Sequence, residues 1–230
     1  GLGGLGLYIK DGLPYEFLTT PDVFPHCLDT VSQVAWVKLC LPKPLIVGCA
    51  YLHPNATTRD KQSLRSACNA IIAKFPSIPI LLLGDFNGQH SRWGASSSSG
   101  HGTFLHRSLL GPSSPWHCLN EVWPGMYGVP TRVMNHAPAS IIDLALSTDI
   151  TVIEDARVGG RGDFDFSSDH LPLILEVNGG QADPTPPHLL VPNRRWRFPH
   201  ARNSKRAEHK RVDAIHHKFT ELFDSLLSDS

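Results

Sequence analysis

The chain has 230 residues, 41% of them hydrophobic, enough to bury a sizeable core in one large α/β domain or in one domain with a tail. No run of about 18 apolar residues exists to span a membrane, and no basic start leads into the apolar stretch of a signal peptide. Lys plus Arg and Asp plus Glu balance at 21 each, but unevenly along the chain. Residues 194 to 211 hold eight Lys/Arg against Glu208 alone, a charge of +7, while residues 1 to 193 carry 12 Lys/Arg and 16 Asp/Glu, a charge of −4. A mildly acidic body with a basic tail suits a metal-dependent site beside a segment that meets a polyanion, and a solvated basic linker is the plain alternative. Five cysteines (Cys27, Cys40, Cys49, Cys68, Cys118), without a C-x-x-C pair, favour free thiols in a reducing compartment over a disulfide framework or a zinc site. Cys40 and Cys49 lie in apolar runs and read as core residues.

In chain order, Gly3 to Ile9 is glycine-rich and then β-like, and Lys10-Asp-Gly12 reads as a hairpin turn. Position 1 is Gly rather than Met, and the chain opens as though already inside a strand, the mark of a fragment or excised domain. Gln33 to Cys40 alternates polar and apolar residues, and Leu45 to Tyr51 is a second strand, so the two form an antiparallel hairpin. Thr57 or Thr58 caps a helix to about Phe75, with Leu64, Ala67, Cys68, Ile71, Ile72 and Phe75 on one face. Pro76 ends it.

Pro79 to Leu83 is an apolar run bounded by Pro79 and Gly84, which suits a buried strand, and Gly84-Asp-Phe-Asn-Gly88 follows as a turn. Ala95 to Gly102 is nearly all Ser and Gly and reads as a flexible surface stretch; Gly102 to Leu110 has the spacing of a short helix. Asn120 to Val122 reads as a short strand. Ile141 to Ser147 is a buried strand with one carboxylate, Asp143, in an apolar run. Such a carboxylate costs several kcal/mol unless it is paired, so Asp143 requires a partner. Thr151 to Val158 is a weaker strand, and Ser168-Asp-His170 is a loop leading into a last strand that ends at Val177. Four prolines between Gly179 and Pro192 mark a linker. Beyond it, Val212, Ile215, Phe219, Leu222, Phe223 and Leu226 give an amphipathic helix.

Three strand ends thus present Asp85 with Asn87, Asp143, and Asp169 with His170. Hard oxygen ligands with a histidine and no thiolate suit Mg²⁺ or Mn²⁺ rather than Zn²⁺. A histidine beside a buried aspartate is the arrangement that fixes an imidazole tautomer and supports its charged form. With an activated water and charge stabilisation on phosphate, this set is equipped to cleave a phosphodiester.

The ordered set Gly84-Asp-Phe-Asn87, Ile142-Asp-Leu144 and Ser168-Asp-His170 resembles the C-terminal motifs of the endonuclease/exonuclease/phosphatase superfamily. Gln89-His-Ser-Arg-Trp-Gly94 is similar to the N-A-H-H-x-x-W-G string of the endonuclease domains of non-LTR (LINE-type) retrotransposons. The resemblance spans residues 1 to 178, before a linker at 179 to 193 and a basic and helical segment at 194 to 230 that leads to a further domain. It implies an α/β fold of two packed mixed β-sheets flanked by helices, a four-layer α/β/β/α sandwich, with the first strands missing. It also implies a Mg²⁺- or Mn²⁺-dependent endonuclease that nicks DNA, linked to a reverse transcriptase, intracellular and nuclear at the time of action. By the same resemblance, Asp85 orients or deprotonates the attacking water, Asn87 and Tyr51 lie at the phosphate, and Asp143 orients His170, which contacts the phosphate. Asp169 is implied as a metal-linked carboxylate, and Asn55, Thr131 and Ser168 as DNA-binding positions. The family's Asn-bearing strand and metal-binding Glu have no counterpart in these residues, since Glu16, Glu121, Glu154 and Glu176 sit in other contexts. That departure leaves two alternatives in view: a catalytically dead or merely nucleic-acid-binding remnant, and a phosphatase or phosphodiesterase of the same superfamily.

Overall fold

The computed structural model describes residues 5–18, 33–160 and 168–180. The segment from residue 181 onward, with nearly all of the linker, the basic stretch and the amphipathic helix, lies outside the described residues.

The centre is a six-stranded mixed sheet in the order β1 (Tyr15–Phe17), β2 (Gln33–Leu39), β3 (Leu45–Tyr51), β4 (Ile80–Asp85), β8 (Asp143–Ser147) and β5 (His117–Cys118). All its pairings are antiparallel except β3 with β4, which run parallel. That parallel pair requires a crossover, and α1 (Thr58–Lys74) supplies it. Thr57 caps α1 through a reciprocal capping box with Asp60. The β2–β3 hairpin and the cap at Thr57 match the sequence reading. The β-like stretch up to Ile9 carries no strand, and the first one begins at Tyr15.

Period-two alternation splits the sheet's apolar residues between two faces. Trp36, Ile46, Ile80, Leu82, Leu144 and Leu146 pack with Leu64, Cys68 and Ile71 of α1. Leu45, Val47, Leu81, Leu83 and Ala145 pack instead with Ile153 and Ala156 of β9 (Ile153–Val158) and Leu173 and Leu175 of β10 (Leu173–Val177). The β9–β10 pair is a second antiparallel sheet, so a helix, a large sheet and a smaller sheet are stacked as layers. A third pair, β6 (Arg132–Met134) with β7 (Ala137–Ser140), stands beside the loop at residues 168–171. The architecture is the α/β sandwich of mixed sheets that the motifs implied.

Three local readings are corrected. Leu119–Val122 is a helical turn, α3, because Asn120 bonds to the β8 backbone instead of extending a strand. Cys40 is exposed just past β2 rather than in the core, and Cys49 is half-buried; the four described cysteines are free.

The Ser/Gly stretch is not a free loop either. Ser98 and Ser99 hydroxyls accept from the backbone N–H of Ser91 and Gln89, and Ser99 caps the short helix α2 (Gly100–Phe104). Gly102 lies so close to Gln89 that a Cβ there would sit 1.8 Å from its carbonyl oxygen, whereas a Cβ at Gly100 would meet nothing within 4 Å. Gly102→Ala is therefore expected to destabilise the fold by roughly 1–3 kcal/mol, and Gly100→Ala to leave it unchanged or slightly more stable. Urea denaturation of the two variants reads the difference.

Candidate active site

Strand register builds the site. Tyr51 pairs with Asp85 across β3 and β4, and Asp85 with Asp143 across β4 and β8. Residues directly opposite on neighbouring strands share a face. Asp85 follows Leu81 and Leu83 at spacing two, and Asp143 precedes Ala145, so the carboxylates lie on the β9–β10 side of the sheet, at its end. Two acidic residues facing one another at one rim are costly unless cations or protons join them.

The Gly-Asp-Phe-Asn turn is held by its own side chains. Asn87 N–H donates to Asp85 Oδ1 at 2.8 Å, an Asx turn, and Asn87 Nδ2 donates to Asp85 Oδ2 at 3.1 Å and to the Leu52 carbonyl at 3.0 Å. Asn87 takes φ 46°, a left-handed conformation that Asn tolerates better than most residues. Phe86 between them is fully buried and anchors the turn. Gly84 lies where β4 is pressed on β3, since a Cβ there would come 1.8 Å from the Ala50 carbonyl oxygen.

Asp143 has its partner. His170 Nδ1 donates to the carboxylate and stands 3.0 Å from each oxygen. The Asp143 hydrogen bond raises the His170 imidazolium above the ordinary histidine value, against burial, with Asp143, Asp85 and Asp169 adding to the rise by charge. The stability this pair contributes is present below about pH 6.5 and fades as pH rises through the raised value. Burial, helped by the negative charge of Asp143, pushes the Asp85 carboxyl up, while the Asn87 N–H, His170 and Arg132 oppose it.

Asp85, Asp143 and His170 place one ligand atom each within 4.8 Å of one another. Two carboxylates against one imidazole leave an excess of negative charge, and the charge of Asp143 adds to the burial that pushes the Asp85 carboxyl up. The donor set fits a hard divalent ion that keeps several waters. Because His170 Nδ1 is spent on Asp143, the carboxylate oxygens of Asp85 and Asp143 are the atoms suited to it. None of the glutamates joins this group among the described residues, and Glu16 and Glu121 pair with Lys38 and Arg92.

The remaining expected positions behave differently. Asp169 is not in the cluster: its Oδ2 accepts from Arg132 Nε at 2.7 Å, and that bond holds its carboxyl below the usual range. Thr131 is fully buried, so it has no surface to offer DNA. Its hydroxyl oxygen accepts from the backbone N–H of Ile142 and Asp143 at 3.1 and 3.0 Å, and its backbone joins Ser140 and Leu171. Ser168 is exposed, and its Oγ accepts from His170 N–H at 3.0 Å. Asn55 is exposed in the turn after β3, where its N–H donates to His53 Nδ1. Tyr51 is half-buried and packs edge-on against His53.

Sequence reasoning missed Asn120 and His101. Asn120 is fully buried and clasps β8, donating to the Asp143 carbonyl and accepting from Ala145 N–H. His101 is buried behind the turn, its ring hydrogen-bonded to backbone at Ala56 and Asn87, and burial pushes its imidazolium down. Neither carried a signal beyond residue type.

A mixed-sheet sandwich with Asp85, Asn87 and an Asp143–His170 pair gathered at one rim defines an endonuclease/exonuclease/phosphatase-type protein. The Endonuclease-reverse transcriptase family model matches residues 45–174, more than half of the chain, and the chain belongs to that family. No curated protein matches the chain. Among solved structures it is similar to the endonuclease domain of TRAS1, a telomere-specific non-LTR retrotransposon, at 19% identity over 73% of this chain and 70% of that one, with a TM-score of 0.57. It is also similar to the 3′ phosphatase NExo from Neisseria, bound to a product DNA hairpin, at 13% identity over 74% and 71%, with a TM-score of 0.50. These likenesses show the fold; family membership places the chain among nucleases and phosphodiesterases.

Two outcomes follow from the geometry. Thr131→Val takes away the acceptor of two N–H donors, Ile142 and Asp143, and is expected to cost roughly 1–3 kcal/mol for each in urea denaturation. Asp85→Asn removes a carboxylate whose ionised form the fold disfavours. It also loses one oxygen that Asn87 bonds, so the checkable outcome is the pH trend: its stability relative to the parent is expected to improve as pH rises from the ordinary carboxylate range near ~4 through the raised Asp85 value.

Proposed function

We propose that the protein is a divalent-metal-dependent DNA endonuclease of a non-LTR retrotransposon, which nicks its target by hydrolysing a phosphodiester. The observation that carries the reading is the Asp143–His170 pair facing Asp85 across the strand register at one rim. His170, kept protonated toward neutral pH by Asp143, holds a charged donor against a phosphoryl oxygen and stabilises the charge that grows there. Asp85, with both oxygens oriented by Asn87, accepts the proton of the attacking water. The bond from that water oxygen to phosphorus forms as the bond to the leaving sugar oxygen breaks, and that oxygen takes up a proton from solvent. Asp85 and Asp143 are the residues that would hold Mg²⁺ or Mn²⁺, which supplies Lewis-acid stabilisation of the phosphate and a more acidic water.

DNA as substrate is supported by the family description, which joins an endonuclease to a reverse transcriptase, and by the +7 segment at residues 194 to 211. In this reading the partner is a reverse transcriptase domain of the same polyprotein, and the protein acts in the nucleus, where target DNA lies.

Supercoiled plasmid incubated with the full chain and Mg²⁺ tests the reading. Open-circular product is expected, lost on adding EDTA and reduced at least about 100-fold by His170→Ala. Nicking that survives His170→Ala would sink the assignment. Release of phosphate from a 3′-phosphorylated oligonucleotide without any nicking would point instead to a phosphatase.

A further inference from the structure

We propose that Arg132 is a phosphate-binding residue of this site, aimed by Asp169 and presented beside His170; the inference rests on the phosphodiesterase reading above. Three observations carry it. Arg132 and His170 form an antiparallel bridge, so their side chains leave the backbone on the same face. His170 points to Asp143 on that face, which places the guanidinium at the same rim. Arg132 is bound to Asp169 through Nε alone, at 2.7 Å, and this leaves the two Nη groups, with four N–H donors, uncommitted among the described residues. Its side chain is 34% exposed, enough for a substrate to reach it.

The charges around the rim require such a group. Asp85, Asp143 and Asp169 face His170 and Arg132, and an approaching phosphodiester adds a further negative charge. Arg132 is the member of this set whose positive charge does not titrate away. It is near enough to Asp85 to pull that carboxyl downward. A guanidinium held by one edge keeps its other edge flat and ready for two parallel bonds to phosphate oxygens.

The plainer account is that Arg132 and Asp169 merely tie the 168–171 loop to β6. Backbone already does that. Val133 N–H donates to the Asp169 carbonyl at 2.8 Å, Leu171 N–H to the Thr131 carbonyl at 2.7 Å, and Ser168 Oγ closes the turn at His170. A half-exposed ion pair adds little to such a frame. Asp169 is then a positioning residue for Arg132, which explains why its carboxylate stands apart from the metal-suited cluster.

The test uses the full chain, a short DNA duplex and bis(4-nitrophenyl) phosphate, with Arg132→Gln, Arg132→Lys and Asp169→Asn. Arg132→Gln is expected to weaken duplex binding about 10- to 100-fold. It should also lower the slope of log affinity against log salt by about one, the mark of one lost phosphate contact. Its kcat/KM on the small diester should fall by a similar factor. Asp169→Asn should keep the salt slope, since the cation remains, and lower kcat/KM. Arg132→Lys, the variant to read if the Gln form fails to fold, should keep the slope and still lose kcat/KM, because the planar fork is gone. An Arg132→Gln protein with the parental salt slope and kcat/KM overturns the proposal, as does an Arg132→Lys protein with parental kcat/KM. A parent that hydrolyses the small diester without nicking DNA defeats the endonuclease reading while leaving Arg132 to be judged on the diester. A parent inert toward both defeats the two together.

Discussion

The contact between Asp143 and His170 is the constraint around which this rim is built. Asp143 begins a strand whose other side chains are buried, and a carboxylate in that setting survives only with a partner. The partner lies 27 residues away on another loop, so three elements are spent on bringing it in. Thr131 caps the N–H groups of Ile142 and Asp143 from one side, and Asn120 clasps the backbone around Asp143 from the other. β6 then carries the loop of Ser168 to Leu171 along its edge through backbone bonds. What results is an imidazole whose proton is held by a carboxylate and whose orientation is fixed by a sheet.

Register does the rest. The sheet aligns Tyr51, Asp85 and Asp143 as neighbours on β3, β4 and β8, and α1 fixes that alignment by carrying β3 into a parallel β4. A slip of one residue would turn Asp85 to the helix face, into the cluster around Leu82 and Phe86. Glycines at the crowded points, Gly84 against Ala50 and Gly102 against Gln89, let the backbones approach closely enough to hold the turn. The rim is therefore held by core packing together with its own polar groups.

Much of this was legible in the sequence because it is written in local patterns. The apolar runs of β3, β4 and β8, the cap of α1, and a carboxylate out of place in an apolar strand are visible without any fold. What was not legible depends on long-range burial. Thr131 was expected to contact DNA, yet it is fully buried and its hydroxyl accepts from the backbone of Ile142 and Asp143. The serines before α2 looked like a flexible tract, but the Ser98 and Ser99 hydroxyls accept from N–H groups seven and ten residues back. Asp169 was read with His170 because they are adjacent in the chain. The structure gives them different partners: Asp169 meets Arg132, while His170 meets Asp143.

The most direct measurement is the pH titration of the His170 ring by NMR, in the parent and in Asp143→Asn. If Asp143 holds the imidazolium at the rim, His170 titrates above the ordinary value of about 6.5 in the parent and falls to or below it in the variant. A ring that titrates at the same ordinary value in both proteins would contradict the pairing and, with it, the site built on it.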